Sequence, residues 1–443
     1  MAQHEEARVD VDLEAWSAAG LSPAEAAEIA AEIPQGILLA PAPYSVTETR
    51  TPNEEWQLPA AWPYKGAMAH GTAAVHYAPG HTSLQRPFIF ADGFNYGPSD
   101  LAGLWSHLNT PYGPDNKQFL SELLAAGFDV ILLGFDERHT YVQANAGIAV
   151  SCIRRAIAER TGDSPLTVGG VSMGGLVTRY ALARMESDRE DHQTETYLSY
   201  DSPHNGAWIP LILQQLAYFF EPLTPGKGPK QAALIRSPAA QQLLWAWVKD
   251  ARTSGPVATA SPLRAEFLSD LNKVGSFPMR PRKLGVANGN GQGMGRDVPP
   301  DELVFEWNAL AGLLQAVVRT QPSFGDRQFI GRMRALGEWR RSYTTAVAPF
   351  DGAPGGTLAS YGMLADKLGA KIEEAYRSGC FVPAVSAVAL DYDPVRWPID
   401  LHTDISVLPG EQSRLDAFQC DTENSEHGTV RAQLADWILD QLR

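Results

Sequence analysis

The sequence predicts an α/β protein built on a doubly wound, mostly parallel sheet. Three observations carry this. Short, continuously apolar runs recur, and turn residues close the first of them. Amphipathic helical segments separate the early runs. The chain has 443 residues and is 44% hydrophobic, enough for a large core.

The runs come first. Pro87–Ala91 is closed by Asp92-Gly93, and Asp129–Leu133 by Gly134. Leu166–Val171, Thr196–Tyr200 and Arg282–Ala287 follow. Unbroken apolar runs suit strands buried on both faces. Between them, Val142, Ala146, Ala149, Ile153 and Ile157 recur at three- and four-residue steps, a helix's apolar stripe. Residues 174–186 read similarly. Strand alternating with helix gives a parallel sheet with helices on both faces. Upstream, Tyr44–Thr49 and Ala73–Tyr77 alternate in the strand manner, with the turn-rich Trp62-Pro63-Tyr64 between them.

Length alone suggests two or three units, or one enlarged domain with insertions. Residues 1–40 read as a helical lead-in, with Ser22 as N-cap and Pro23 at the first helical position. Residues 41–205 form the first part of the core. Residues 206–281 read as a helical cap insertion, with apolar blocks at Leu211–Phe220, Ala239–Val248 and Leu263–Leu271. Residues 282–443 form the second part, with an insertion at 291–357 that holds an amphipathic stretch near Leu303–Val318. Both insertions are expected as lid elements at the sheet's C-terminal edge.

The net charge of -15 argues against nucleic acid or an anionic membrane surface as main partner. Cys152, Cys380 and Cys420 are far apart and lack CxxC spacing. That argues against a metal or disulfide framework and leaves room for one bridge. The acidic N-terminus has no apolar run, so it does not read as a secretory signal. No stretch approaches the roughly 20 apolar residues of a membrane span. The expectation is a soluble, cytoplasmic protein, with the oligomeric state open.

The chemistry centres on Gly170-Val171-Ser172-Met173-Gly174, a G-x-S-x-G motif between a strand and a helix. That context is the one a nucleophile elbow requires. Small residues two before and two after the Ser let strand and helix approach without clashing Cβ atoms. The hydroxyl then projects above the sheet, with a helix N-terminus behind it. The bland alternative is a Gly-rich turn between strand and helix.

GGVSMGGLVTRYAL resembles the nucleophile segment of bacterial lipases and esterases of the α/β-hydrolase superfamily. Ser202-Pro203-His204-Asn205-Gly206 is similar to the (T/S)-P-H-x-G stretch after the next strand of many lipase-like members. Phe90-Ala91-Asp92-Gly93-Phe94 sits where such lipases carry H-G-x, with Asp in place of His. The resemblance covers residues 85–210 and returns over 380–430, at Phe381–Ala387 and Asn424–His427.

The resemblance implies a serine hydrolase acting on carboxylic esters through a Ser-His-Asp triad. The backbone N–H groups of Met173 and Phe94 would hold the oxyanion. The superfamily order Ser, acid, His puts the base late in the chain. His427, in a polar loop before an amphipathic C-terminal helix, is the candidate, with His402 the other choice. His204 reads as structural. The acid is open. The late segment where many relatives carry it, Ser378–Pro383, has no carboxylate. Asp201 ends the strand after the nucleophile unit, and Asp391 and Asp393 follow a later apolar run. Asp201 is the first choice and the other two are alternatives. Asp92 and Asp136 are expected to shape the pocket. No cofactor and no metal is implied.

The substrate is expected to be a hydrophobic acyl ester. Trp208, Ile209, Leu211, Tyr218, Phe219, Phe220, Leu244, Trp245 and Trp247 would line its pocket or pack the cap's own core. An acyltransferase, a thioesterase or a macrocyclising enzyme would use the same acyl-enzyme. A non-catalytic binding protein on the same fold is the remaining class.

Overall fold

The computed structural model describes residues 39–443 apart from 224–230, 251–259 and 336, together with Ser22, Ala24, Glu25, Glu28, Ala31 and Glu32. Most of the expected lead-in therefore lies outside the described residues. At its expected start, Ser22 Oγ accepts from the Glu25 N–H at 3.3 Å and Glu25 accepts from the Ser22 N–H at 2.8 Å. This is a reciprocal capping box.

Eight strands form the central sheet. They are β1 (Glu54–Pro59), β2 (His70–His76), β3 (Pro87–Ala91), β4 (Asp129–Phe135), β5 (Leu166–Val171), β6 (Thr194–Tyr200), β7 (Arg282–Asn290) and β14 (Ala417–Asp421). Their order is β1-β2-β4-β3-β5-β6-β7-β14. β2 runs antiparallel to its neighbours β1 and β4, and every later pair is parallel.

The apolar runs explain the double winding. In β3 and β4, Phe88, Phe90, Val130 and Leu132 point to one layer, with Leu104, Leu120 and Ile438. Ile89, Ala91, Ile131 and Leu133 point to the other, with Ala146, Ile153 and Val177. Helices α1 (Leu101–Leu108), α2 (Phe119–Ala125) and α10 (Ala432–Leu442) supply the first layer. Helices α3 (Val142–Glu159) and α4 (Met173–Ser187) supply the second. Each fully buried Leu, Ile or Phe contributes about 1.5–3 kcal/mol, so both faces of the strand must be apolar.

One upstream expectation changes. Tyr44–Thr49 joins no strand, and the Thr47 and Glu48 N–H groups donate to Ser106 Oγ at 3.3 and 3.2 Å. A helix side chain, rather than a strand, satisfies that backbone. The real edge strand is β1, where Trp56 and Leu58 alternate inward.

Residues 206–281 carry four α-helices among the described residues. They are α5 (Leu211–Phe219), α6 (Gln231–Arg236), α7 (Pro238–Leu243) and α8 (Pro262–Lys273). The helix expected over Ala239–Val248 stops at Leu243, because Leu244 leaves helical geometry at ψ 127°. The insertion over 291–357 is not helical. It folds as an antiparallel sheet of β8 (Leu303–Ala309), β9 (Leu314–Arg319), β10 (Gln328–Ala335) and β11 (Glu338–Thr344). Alternation is clearest in β10, where the buried Met333 and Ala335 alternate with Arg332 and Arg334; in β9, Leu314, Ala316 and Val318 are buried, with Val317 buried beside them. Apart from Val317, those buried residues join Ile212, Leu216 and Phe219 of α5 in a third core, outside the main sheet. The hairpin of β12 (Gly355–Leu358) and β13 (Gly379–Pro383) and helix α9 (Ser360–Leu368) return the chain toward β14.

Candidate active site

Three adjacent strands deliver the site. Ser172 follows the last residue of β5 and Asp201 the last residue of β6. The pairing of Val171 with Tyr200 sets the two side by side. The Ser172 N–H donates to the Tyr200 carbonyl at 2.9 Å, and the Asp201 N–H to the Val286 carbonyl of β7 at 2.8 Å.

Ser172 sits at φ 55° and ψ -125°, a conformation that side chains adopt only when the surroundings impose it. What imposes it is close approach. A Cβ on Gly174 would stand 2.2 Å from the Ala91 carbonyl oxygen, and one on Gly170 would stand 2.4 Å from the Gly174 carbonyl carbon. No Cβ fits at either distance, so the motif's glycines are steric requirements of the elbow. Met173 begins α4, where first-turn N–H groups lack helical acceptors and the helix dipole favours negative charge.

The loop after β3 packs against the serine. A Cβ on Gly93 would lie 3.2 Å from Ser172 Cβ and 3.7 Å from its Oγ. Asp92, at the position where lipases carry His, is fully buried and accepts from the Gly93 N–H at 2.7 Å. Burial raises its carboxyl above the ordinary range, and Arg138 at 3.4 Å offsets part of that. Arg138 Nη2 and Nε also reach the Tyr96 and Gly97 carbonyls. The ion pair thus ties the Phe94 loop to the end of β4.

His427 and Asp201 meet at 2.7 Å, Nδ1 to Oδ2, with both side chains almost completely buried. Asp201 Oδ1 accepts from the Asn288 N–H at 3.0 Å. The Asn288 side chain then grips the loop that carries the histidine. Its Nδ2 donates to Ser425 Oγ at 3.0 Å and to the Thr429 carbonyl at 2.9 Å, and its Oδ1 accepts from the Gly428 N–H at 2.9 Å. His107 Nε2 contacts the Gly428 carbonyl at 2.8 Å, with its ring stacked on Tyr44. Burial lowers the His107 pKa, so the contact is a neutral N–H donation. From the far side, a Cβ on Gly356 would stand 2.1 Å from Asp201 Oδ2. Among the described residues, His427 Nε2 is buried and has no hydrogen-bond partner.

The other candidates lie elsewhere. Asp391 is exposed and pairs with Arg414 at 2.9 Å. Asp393 caps the backbone of Val395 and Arg396. Asp391 forms a surface ion pair and Asp393 a local turn, and neither has a hydrogen bond or ion pair with His427 among the described residues. His402 is exposed, with Nδ1 on the Gly293 carbonyl. His204 is buried between Ser199 Oγ at 2.8 Å and Arg179 at 3.3 Å. Burial holds it far below the usual histidine pKa, so it is neutral and structural. Asp136 is exposed and lines a separate cavity with Tyr64, Lys65 and Tyr141.

A narrow pocket opens on Ser172, with free space of about 20 Å³, room for one water molecule. Phe94, Ile209, Leu234, Leu243, Leu244 and Phe381 are among its apolar walls. Of the nine cap residues expected there, Ile209 and Leu244 take part. Trp208 instead stacks on Phe350 at 4.5 Å, and Phe220 packs on Trp307 at 5.9 Å, inside the third core. Phe381 connects pocket and base, since its ring meets the His427 ring edge-on at 4.9 Å.

Asn288, Gly356, His107 and Phe381 were not foreseen as site residues. Asn288 follows directly on the fifth apolar run, and Gly356 belongs to a Pro-Gly-Gly stretch whose glycines open β12. Those were the available signals. The cysteines are buried and free. Among the described residues, no His/Cys/Asp/Glu group suits a metal, and no helix is long and apolar enough to cross a membrane.

No protein-family profile and no curated protein matches the chain. Solved structures do. The mature lipase BlEst2 of Bacillus licheniformis is 13% identical, with 54% of this chain and 73% of that chain covered and a TM-score of 0.27. An esterase of the hyperthermophilic archaeon Pyrobaculum calidifontis is 14% identical, covering 52% and 75%, with a TM-score of 0.26. Est1E of Butyrivibrio proteoclasticus is 13% identical, covering 33% of this chain and only 51% of its own length, with a TM-score of 0.22. These likenesses are partial and distant. By its own strand order and its serine turn between β5 and α4, the molecule has the α/β-hydrolase fold.

Proposed function

We propose that the protein is a serine-dependent hydrolase of carboxylic esters, with Ser172 as nucleophile, His427 as base and Asp201 as acid. The observation that carries this reading is the 2.7 Å contact of Asp201 Oδ2 with His427 Nδ1, beside the Ser172 elbow. A carboxylate on Nδ1 fixes the tautomer with the proton on that nitrogen. It leaves the Nε2 lone pair free to take the serine proton.

The steps follow. Ser172 Oγ attacks the acyl carbon as its proton passes to His427 Nε2. The imidazolium is stabilised by Asp201. The Met173 and Phe94 N–H groups hold the oxyanion. His427 then gives its proton to the leaving alkoxide, and the alcohol departs. Water, deprotonated by His427, attacks the acyl-enzyme, and Ser172 regains its proton as the acid leaves. Apolar walls select an apolar acyl group.

A fluorophosphonate probe is expected to label wild-type protein at Ser172 and to leave Ser172→Ala unlabelled. Short-chain p-nitrophenyl esters are expected to be cleaved by wild type alone. A folded wild-type protein that takes no label would overturn the reading. Product analysis with competing alcohols or amines distinguishes hydrolysis from acyl transfer.

A further inference from the structure

The β8–β11 sheet has two unlike faces. One packs on α5 in the third core. The other is basic, in a chain whose net charge is -15. The register of β10 and β11 sets Arg332 opposite Arg341 and Arg334 opposite Trp339. Side chains alternate along a strand, so Trp339, Arg341 and Tyr343 share the face of Arg332 and Arg334. The Arg332 and Arg334 guanidinium groups lie 5.8 and 4.9 Å from the Trp339 ring centre, and Arg327 lies 4.8 Å from that of Tyr343.

Among the described residues, these charges have no ion-pair partner. The sheet's ion pairs are Arg319 with Asp301, and Arg340 with the exposed Glu338 at 3.5 Å. Among the described residues, none engages Arg327, Arg332, Arg334 or Arg341, and Arg332 Nε and Arg334 Nε have no hydrogen-bond partner. One carboxylate, Glu306, shares the face two strands away from Arg332, roughly 10 Å by strand spacing. Like charges directly opposite each other destabilise a sheet. An anion placed on this face would relieve that repulsion.

We propose that this face docks on a lipid surface carrying anionic headgroups. Charge complementarity is the first argument. Composition is the second. Trp339 is 45% exposed among the arginines, and Phe324 and Leu313, at the strand ends, are 68% and 40% exposed. Arginine with exposed Trp and aliphatic groups suits a headgroup layer, where charges meet phosphate and rings enter the interface. The net charge of -15 repels nucleic acid and anionic lipid alike at long range, so docking depends on this local face, whose arginines act within a Debye length of roughly 10 Å of the headgroups. The choice of lipid over an acidic protein rests on the ester-hydrolase reading, since an apolar ester resides in such a surface.

Full-length protein is mixed with sedimentable vesicles of pure phosphatidylcholine, or of phosphatidylcholine with about one-third phosphatidylglycerol. Wild type is expected to sediment with the anionic vesicles alone and to be released by 0.5 M salt. The triple variant Arg332→Gln, Arg334→Gln, Arg341→Gln is expected to bind roughly 100-fold more weakly, at about tenfold or less per arginine. Its circular dichroism and its cleavage of a soluble ester should match wild type. Ser172→Ala should bind like wild type, which separates this proposal from the catalytic one. Equal binding to both vesicle types, or a triple variant that binds as wild type, overturns it. So does capture by polyglutamate or duplex DNA with no capture by anionic vesicles.

Discussion

The corner of the proposed nucleophile, Ser172, and that of the proposed acid and base, Asp201 and His427, are held by different forces. Ser172 is held by backbone packed on backbone: Gly170 and Gly174 bring β5, α4 and the end of β3 together at distances that exclude a Cβ. Asp201 and His427 lie 226 positions apart and are held by hydrogen bonds through Asn288, Thr357 and His107. Strain in the first corner is part of the fold. Alignment in the second can fail while the fold survives.

The largest expected effect lies in the second corner. Asp201→Asn keeps the shape but loses the carboxylate that sets the histidine tautomer. kcat is expected to fall about 10⁴-fold with melting temperature nearly unchanged. A fall below tenfold would place the acid elsewhere.

Two glycines then set the corners directly against each other. Gly174→Ala drives a Cβ into the Ala91 carbonyl oxygen at 2.2 Å, and backbone cannot step aside. It is expected to destabilise by about 3 kcal/mol in urea unfolding, with Ser172 labelling lost as well. Gly356→Ala meets the Asp201 carboxylate at 2.1 Å, a side chain that can turn away. It is expected to lower kcat sharply while losing less stability than Gly174→Ala. Equal stability losses would break the comparison.

Asn288→Leu probes the lattice itself. It keeps the backbone N–H on Asp201 but releases Ser425, Gly428 and Thr429. At about 2 kcal/mol for the buried groups left unpaired, kcat/KM should drop roughly 30-fold. The loss should fall in kcat rather than KM, because Asn288 is not among the pocket walls. An unchanged kcat with a raised KM would assign it to substrate binding instead.

The smallest effect is the pH dependence of stability. Burial depresses the His204 and His107 pKa values in the folded state. A depressed histidine contributes stability that is present above its unfolded pKa of about 6.5 and fades as pH falls toward its folded value. Below pH 6.5 the unfolded chain binds the extra protons, so stability should fall by up to about 1.4 kcal/mol per pH unit for each such histidine. Urea melts at pH 7.5 and 5.5 measure it, and a flat response would remove the linkage.

Legibility in the sequence follows the same division. The elbow is local: strand, G-x-S-x-G and helix lie within about twenty residues, and each obeys short-range sterics. The parallel strands were legible because burial on both faces leaves no room for polar alternation. Three aspartates that close apolar runs look alike in one dimension, but only Asp201 follows a strand, β6, while the run before Asp391 and Asp393 folds as a short helix over Ala384–Ala387. Asn288 and Gly356 act across long sequence separations, so no local pattern marks them. The β8–β11 sheet was missed because amphipathicity was read over Leu303–Val318 as one stretch. Its two strands are split there by a turn with Leu310 and Ala311 at positive φ.

The in-register pairing of β5 with β6 makes the sheet a ruler. Ser172 and Asp201 each step off the end of one of two paired strands, whose pitch of roughly 4.8 Å is set by main-chain geometry rather than by side chains. A slip of one residue between these strands would turn one partner to the opposite face and dismantle the site at once. Redesign of the cap or the outer sheet can therefore change what enters the pocket without recalibrating the chemistry, provided this one register is kept.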